Sequence, residues 1–231
     1  MKDINYEIIG KGYPIVLLHG NGEDLHIFDE FVQNMKNEYQ LICIDSRYHG
    51  KSIKKGELSY QQMCKDVIHV IDELDIEQYD VVGFSDGGII SILLSLKDQR
   101  LKHMVIIGAN VRVSGLKWIC RLNDWLMLFC LIPFSLYHKK MRIKWRLIKM
   151  METMKEIPKE DLNQIMVPTL ILAGEYDLIK QEETEYIHKN IKYSVMKIIE
   201  NGSHFILRDD FQKTMKEVNM FLSACHQKEE L

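Results

Sequence analysis

The sequence predicts an α/β protein: a mostly parallel, twisted sheet of seven to eight strands with helices on both faces and an inserted helical cap. Short apolar runs alternate with segments of helical periodicity, the pattern of parallel strands joined by crossover helices. The chain has 231 residues, 46% of them hydrophobic, which suffices for the core of one such domain. The alternation breaks once, between residues 110 and 161, in a stretch rich in Trp, Leu, Met and basic side chains.

Seven strands are predicted from apolar runs bounded by polar or glycine-containing segments. They are Asn5–Ile9, Ile15–Leu18, Leu41–Ile44, Val81–Phe84, Met104–Ile107, Thr169–Leu172 and Val195–Ile199. Helical spacing is clearest at Tyr60, Met63, Val67, Ile71 and Leu74, and again at Phe211, Met215, Val218 and Leu222. The break in the alternation divides the chain into a discontinuous core, residues 1–110 and 161–231, and a helical cap insertion, residues 111–160.

Charge is unevenly distributed along the chain. The formal net charge is −3 and the pI about 6.3, which argues against a nucleic-acid partner. Between Val111 and Met150, nine Lys or Arg accompany one acid, Asp124, for a net +8, whereas the rest carries 21 bases and 32 acids, a net −11. The basic run from His138 to Lys149 is most simply a solvated helix face. The alternative is that it attracts anionic substrates or makes transient contact with an anionic membrane surface.

Cysteine usage and the amino-terminal residues predict a cytoplasmic protein. The five cysteines include no C-x-x-C pair and are odd in number, which is typical of reduced, mostly buried thiols. Residues 1–7 contain no apolar run of the kind found in signal peptides. The longest uninterrupted apolar run, Trp125 to Phe134, has ten residues, too few to cross a bilayer. The oligomeric state is left open.

The most informative motif is Gly83-Phe-Ser-Asp-Gly-Gly, between the apolar strand that ends at Phe84 and a strongly apolar helix. Gly83, Ser85 and Gly87 fit G-x-S-x-G, a tight strand-to-helix turn that exposes a serine nucleophile. We expect a strained backbone at Ser85, and collisions with the neighbouring strand and helix if either glycine carried a side chain. The alternative is a glycine-rich turn that holds a solvated serine.

A serine hydroxyl needs a base to take its proton and an acid to orient that base. Asp177 follows the strand Thr169–Leu172, and His204 follows the strand Val195–Ile199. Catalytic groups of α/β sheets gather at such carboxyl-terminal strand ends, and the order Ser, Asp, His matches this elbow. Glu175 is the alternative acid. Four other histidines are expected in helices or connecting loops, with surface or packing roles: His49, His69, His103 and His188.

Two backbone N–H groups are predicted to stabilise the oxyanion of a tetrahedral intermediate. One belongs to Asp86, at the start of the apolar helix, where the helix dipole also favours negative charge. The other belongs to Asn21, in the loop after the strand Ile15–Leu18, with Gly22 as the alternative. The Asp86 carboxylate is either a favourable first-turn acid or a group that holds a substrate ammonium.

His19 opens the same loop and is expected to hydrogen-bond loop backbone. His19, Asp24 and His26 can also be considered as metal ligands, but their spacing matches no strong metal signature. The sequence therefore predicts no metal and no cofactor.

Five motifs together resemble the α/β-hydrolase family. They are His19-Gly-Asn-Gly, Asp45-Ser-Arg-Tyr-His-Gly-Lys-Ser, Gly83-Phe-Ser-Asp-Gly-Gly, Pro168-Thr-Leu-Ile-Leu-Ala-Gly-Glu-Tyr-Asp and Gly202-Ser-His-Phe. The likeness covers nearly the whole chain outside residues 111–157. It implies nucleophile Ser85, acid Asp177, base His204 and a cap inserted after strand six of the family's eight. The most similar subgroup is the small capped hydrolases: esterases, valacyclovir-hydrolase-like enzymes, lactonases and C–C bond hydrolases.

Two positions depart from the family pattern. The amino terminus looks one strand short, so a sheet of seven strands is expected. Tyr48 stands where the family usually has glycine, and we expect it to shape the pocket mouth.

The resemblance implies a serine hydrolase that cleaves a small carboxylic ester through an acyl-enzyme intermediate. C–C bond or lactone hydrolysis with the same triad is the alternative reaction. A non-catalytic binding protein on this fold is a third hypothesis, disfavoured by the presence of all three triad residues. Within the cap, Trp118, Trp125 and Phe129 are predicted to line the substrate pocket, the alternative being ordinary helix packing.

Overall fold

A seven-stranded sheet forms the centre of the molecule. This computed structural model describes residues 3–229, with side chains described as far as residue 227. The strands are β1 (Tyr6–Ile9), β2 (Tyr13–Leu18), β3 (Tyr39–Ile44), β4 (Tyr79–Phe84), β5 (Leu101–Ile107), β6 (Thr169–Gly174) and β7 (Ser194–Ile199). Their order is β1-β3-β2-β4-β5-β6-β7, with β1 antiparallel to β3 and all other neighbours parallel. The predicted mostly parallel sheet is confirmed.

The described residues form nine α-helices. They are α1 (Asp29–Met35), α2 (Tyr60–Glu73), α3 (Asp86–Ser95), α4 (Trp118–Tyr137), α5 (Lys139–Glu152), α6 (Lys159–Leu162), α7 (Gln181–Asn190), α8 (Ile206–Asp209) and α9 (Phe211–Glu229). The helical spacings that begin at Tyr60 and Phe211 correspond to α2 and α9. Ser59 ends the loop before α2, and its side chain accepts a hydrogen bond from the Gln62 N–H, which caps the helix.

Helices cover both faces of the sheet because alternate strand side chains point in opposite directions. Val16 and Leu18 pack on one face with α2 and α3, whereas Ile15 and Leu17 pack on the other with α1 and α9. Strands β4 and β6 are buried along their whole length. They are therefore mostly apolar without alternation, with Asp80 and Thr169 as buried polar exceptions.

Helices α4, α5 and α6 form an insertion between β5 and β6. We call Trp118–Glu152 the cap hairpin, because α4 and α5 pack against each other and are joined at His138. None of the 20 residues of α4 is buried, and its mean hydropathy reaches 1.4. The expectation drawn from the ten-residue apolar run is therefore corrected. The helix extends beyond that run through Asp124 and Arg121, and by length and composition it suffices to cross a bilayer.

Tyr48 connects the cap hairpin to the sheet-bearing body. Its φ of 67° lies in the left-handed region that favours glycine. Its hydroxyl donates to the Gly56 carbonyl at 2.8 Å and accepts from Arg146 at 2.6 Å, and the Arg146 guanidinium lies 4.5 Å from the ring centre. These contacts require a large side chain and offset the backbone strain. Tyr48 does not line the cavity around Ser85, so its role is anchoring rather than shaping the pocket mouth.

Candidate active site

Ser85 lies at the turn between β4 and α3. Its backbone has φ 52° and ψ −115°, and its N–H donates to the Ile107 carbonyl of β5 at 2.8 Å. A Cβ on Gly83 would lie 2.3 Å from the Gly87 carbonyl oxygen, and a Cβ on Gly87 only 2.0 Å from the Leu18 carbonyl oxygen of β2. Strand and helix can approach this closely only without those side chains, which is the geometry the motif predicts.

His204 and Asp177 lie beside this turn. His204 Nε2 is 3.2 Å from Ser85 Oγ, and His204 Nδ1 is 2.7 Å from Asp177 Oδ1. Asp177 follows β6 and His204 follows β7, so both reach the same edge of the sheet, and both side chains are buried. The structure thus brings together a hydrogen-bonded chain from carboxylate to hydroxyl. In such a chain the imidazole can accept the serine proton while the carboxylate holds its tautomer.

The local contacts distinguish Asp177 from its rival Glu175. Asp177 Oδ1 also accepts the N–H of Ile179 at 2.9 Å, which fixes the carboxylate against the imidazole. Its other oxygen is buried, with no hydrogen-bond partner among the described residues. Glu175 is exposed, and its side chain accepts the N–H of Asn201 at 2.8 Å. Of the two carboxylates, the structure places Asp177 against His204.

The two predicted oxyanion donors line the same cavity as Ser85. The N–H of Asp86 is the first of α3, so it has no acceptor within the helix. The Asn21 amide side chain donates to the Asp86 carboxylate at 3.0 Å, which joins the loop to the helix start. The alternative donor, the N–H of Gly22, is already bonded to His49 Nε2 at 3.0 Å. The geometry therefore favours Asn21 over Gly22.

Two neutral histidines hold the loop that contains Asn21. His19 bonds the Gly20 carbonyl through Nδ1 at 2.7 Å and accepts the Ser46 N–H at Nε2. Burial lowers the pKa of His19. Burial, and then the neighbouring His19, lower the pKa of His49 to about 4. Both rings therefore serve as fixed hydrogen-bonding groups, which is the role expected for His19.

The cavity above Ser85 has a volume of about 450 Å³ and is walled by both the body and the insertion. From α4 come Ile119, Cys120, Asn123 and Asp124, which lie on one helix face, and the rest of the insertion adds Leu116, Met151 and Met154. Trp118, Trp125 and Phe129 do not line it. They lie on the other side of α4, exposed, so their assignment to the pocket is corrected.

The cavity wall is acidic. Three carboxylates line it, from Glu23, Asp86 and Asp124, and no Lys or Arg side chain of the described residues does. Burial raises the pKa of Glu23, and it raises that of Asp86 against the opposing hydrogen bonds from Tyr60 and Asn21. For Asp124, burial and then the nearby Glu152 raise the pKa to about 6. Asp124 is therefore mostly ionised near neutral pH, and its charge repels anions.

Sequence reasoning missed Glu23 and Asp124 as cavity residues. The signal for Asp124 is its place beside Asn123, two polar residues inside the apolar sequence of α4. Polar residues on one side of an apolar helix indicate a face turned toward solvent or a cavity. The prediction of Trp118, Trp125 and Phe129 rests on their size, which does not show on which side of the helix they lie. Glu23 carries no comparable signal. Its position depends on how the loop folds back, which lets the Glu23 carboxylate accept the Gly20 N–H.

A second polar cluster lies at the opposite edge of the sheet. Asp80, His103 and His226 present ligating atoms within 4.8 Å of one another, the one such group that could hold a metal ion among the described residues. Asp80 is fully buried, accepts the backbone N–H of His103 and contacts both imidazoles at 2.8 Å. Hydrogen bonds thus account for the cluster. His103 lies in β5, not in a loop or helix as expected.

Comparisons with known proteins agree with the fold. A family model described as alpha/beta hydrolase fold matches residues 13–129. The human serine hydrolase BPHL is 25% identical over an alignment that covers 93% of this chain and 82% of BPHL. The Escherichia coli esterase YbfF is 30% identical over 41% of this chain, a stretch that spans 37% of YbfF. A solved esterase from Exiguobacterium antarcticum superimposes with a TM-score of 0.82 at 21% identity, covering 95% of both chains.

Proposed function

Because the chain belongs to the alpha/beta hydrolase fold family, we propose that it is a serine hydrolase that cleaves a small carboxylic ester. Its relatives include hydrolases and esterases, and the reaction proposed is acyl transfer to Ser85 and then to water. The observation that carries the proposal is the hydrogen-bonded chain Asp177–His204–Ser85, which opens into a cavity large enough for a small molecule.

In the proposed mechanism, Ser85 Oγ attacks the ester carbonyl while His204 Nε2 takes its proton. The N–H groups of Asn21 and Asp86 stabilise the oxyanion that forms, and Asp177 stabilises the imidazolium. His204 then gives the proton to the leaving alcohol, which departs and leaves the acyl group on Ser85. A water molecule, deprotonated by His204, attacks the acyl-enzyme; the bond to Ser85 Oγ then breaks, His204 returns the proton to Oγ, and the acid is released.

The acidic cavity wall favours the binding of uncharged or ammonium-bearing esters over the binding of substrates that carry carboxylates. Glu23 and Asp124 face the cavity without an Arg or Lys in the described lining. The Asp86 carboxylate is occupied by hydrogen bonds from Tyr60 and Asn21, so an ammonium group would more readily be held by Asp124 than by Asp86. Opposite charges a few ångströms apart attract, and like charges repel by a similar amount.

The same wall disfavours one alternative reaction, the hydrolysis of C–C bonds by this triad. The C–C bond substrates carry carboxylates, which the ionised Asp124 would repel. A non-catalytic binding function is disfavoured by the distances of 3.2 and 2.7 Å that connect the three groups, since binding alone needs no such alignment.

The decisive experiment combines covalent labelling with a panel of esters. A fluorophosphonate probe is expected to label the wild-type protein at Ser85, and nitrophenyl esters of increasing acyl length are expected to be hydrolysed. Ser85→Ala should abolish labelling and lower kcat by about 10⁴-fold or more. The matched control is Ser95→Ala, at the other end of α3, where the hydroxyl only bonds the Ile92 carbonyl.

Several outcomes separate the hypotheses. Labelling with turnover of neutral esters supports the proposal. Labelling with turnover of vinylogous diketones or lactones alone would favour the alternative reaction. Absence of labelling in a folded wild-type protein would favour a binding function.

We also infer a cytoplasmic location. The five cysteines form no disulfides. Such free thiols are typical of a reducing compartment. Burial raises the pKa of Cys43 to about 12 and that of Cys64 to about 11, so both thiols stay protonated and unreactive. Recovery of the native protein from an exported fraction of the cell would contradict this location.

A further inference from the structure

The outer face of α4 carries an apolar stripe that none of the residues described by the structure covers. We define the apolar stripe as the side chains at spacings of three and four along one face: Trp118, Leu122, Trp125, Phe129, Ile132 and Leu136. They are between 48% and 76% exposed. In a water-soluble helix this is the stripe that packs against the core. Contiguous apolar surface of this kind marks an interaction site.

The second helix of the cap hairpin is rich in basic side chains. Five of them are exposed on α5: Lys139, Lys140, Arg142, Lys144 and Lys149. Residues 111–150 carry nine bases and one acid, a net +8, while the rest of the chain carries 21 bases and 32 acids, a net −11. The molecule is therefore strongly polarised, with its positive end at the exposed apolar helix.

We propose that the cap hairpin docks on an anionic lipid surface, with the apolar stripe at the acyl-chain boundary and the α5 bases among the headgroups. A lipid surface satisfies both features at once, because aromatic and aliphatic side chains enter the interface while Lys and Arg meet phosphates. The acidic remainder of the chain is repelled by the same surface, which orients the molecule with the hairpin toward the lipid.

Charge argues against a second copy of the chain as the occupant. Two cap hairpins placed face to face would bring together two segments of net +8. Among the described residues of the acidic body, the large exposed hydrophobic side chains are scattered: Tyr193 precedes β7, whereas Met220 lies on α9.

The hairpin docks along the surface and does not span the bilayer. The residue before α4, Lys117, donates its N–H to the Leu178 carbonyl at 3.1 Å, so this end is fixed to the body. At the other end the chain turns into α5, which returns to the body through buried Leu147 and through Arg146 on Tyr48. Asp124 faces the catalytic cavity. With both ends held on one side, α4 lies in the interface plane.

Binding is measured with the purified full-length protein and vesicles of phosphatidylcholine, with or without about one third phosphatidylserine, by co-sedimentation and tryptophan emission. The chain has three tryptophans, Trp118, Trp125 and Trp145, and all lie in the cap hairpin, so a blue shift reports on this segment. We expect binding to anionic vesicles at least about tenfold tighter than to neutral ones, and weakened by added salt.

Two double variants test the two halves of the surface. Lys139→Glu with Lys140→Glu should weaken binding to anionic vesicles by about tenfold or more. Acids at the amino end of α5 favour the helix dipole, so folding should not suffer. Trp125→Ala with Phe129→Ala should weaken binding and reduce the blue shift, and both side chains are exposed. Circular dichroism checks that each variant is folded.

Matched controls make the same kinds of substitution outside the cap hairpin. Lys65→Glu with Lys216→Glu alters two exposed lysines on α2 and α9, and Tyr193→Ala with Met220→Ala removes two exposed apolar side chains of the body. Both controls should bind vesicles like the wild type. Ser85→Ala should also bind like the wild type, so a failure of the proposed chemistry and a failure of docking are distinguishable.

The proposal is overturned if wild-type protein does not prefer anionic vesicles, or if the control variants lose as much binding as the hairpin variants. It is also overturned if light scattering finds a dimer that Trp125→Ala with Phe129→Ala dissociates while no vesicle binding occurs. In that case the apolar stripe is an interface between two copies.

Discussion

The body and the cap hairpin use apolar residues in opposite ways. In the body, β4 and β6 are mostly apolar and buried along their length, and the nucleophile turn and the acid follow their ends, while the base follows β7. In the cap hairpin, α4 is also apolar, yet none of its residues is buried. An apolar sequence therefore establishes that a segment needs a nonpolar neighbour, but only the structure shows whether the chain itself supplies it.

The two regions also differ in how tightly each position is constrained. Around Ser85, carbonyl oxygens stand within 2.3 Å of where a single added carbon would lie. On the outer face of α4, the large side chains of the apolar stripe are between 48% and 76% exposed. Substitutions in the body should therefore have steep effects on chemistry and stability, and those on the cap hairpin should change what the molecule binds.

The largest effect is expected at Asp177. Asp177→Asn leaves the shape of the side chain intact but favours the wrong imidazole tautomer of His204, and kcat should fall by about 10⁴-fold. Glu175→Gln is the matched control, since this exposed acid bonds the Asn201 N–H and not His204. Ester hydrolysis by the two variants is compared at equal folded concentration. Equal losses in both would show that the acid was misassigned.

A pair of leucines tests the contrast in packing directly. Leu172 in β6 is 0% exposed and Leu136 in α4 is 69% exposed. Leu172→Ala should lower the free energy of unfolding by about 2–5 kcal/mol, because it removes buried contacts and leaves a cavity. Leu136→Ala should change it by less than about 0.5 kcal/mol. Urea denaturation measures both, and a large loss in Leu136→Ala would mean that the stripe is covered in solution.

Most of the body could be predicted from the sequence because its rules are local. The alternation of apolar runs gave the seven strands, and the spacing of Gly83, Ser85 and Gly87 gave the turn with its positive φ. The positions of Asp177 and His204 after parallel strands placed them at one edge. Each inference used a periodicity or a motif with a physical constraint behind it.

The remaining features depend on which surfaces meet, and no local pattern records that. Trp118, Trp125 and Phe129 were assigned to the pocket by residue type, whereas the rotation of α4 turns Ile119 and Asp124 toward the cavity instead. Tyr48 shows the same limit. Its left-handed backbone is understandable only once Arg146 of the cap hairpin is seen against its ring.

The loss of folding stability of the body at acidic pH should depend in part on His49. Its folded-state pKa is about 4, below the ordinary 6.5, so its stabilising contribution is full above pH 6.5 and is lost as the pH falls toward 4. His49→Gln keeps an acceptor for the Gly22 N–H and does not titrate, so its unfolding free energy should fall less steeply over that range. His69→Gln, an exposed side chain on α2, should keep the wild-type slope. Equal slopes in all three proteins would refute this role.

The smallest effect is expected at Asp124. This residue belongs to the cap hairpin but is partly buried against the cavity, as residues of the body are. Its pKa of about 6 leaves it ionised near neutral pH and protonated near pH 5. Asp124→Asn should lower kcat/KM for an ammonium-bearing ester relative to its neutral isostere by about tenfold, or about 1.4 kcal/mol, at neutral pH and by less at pH 5. Glu160→Gln, an exposed acid on α6, is the control. If selectivity stays unchanged in Asp124→Asn, the cap contributes only a lipid-facing surface, and substrate charge is read by the body alone.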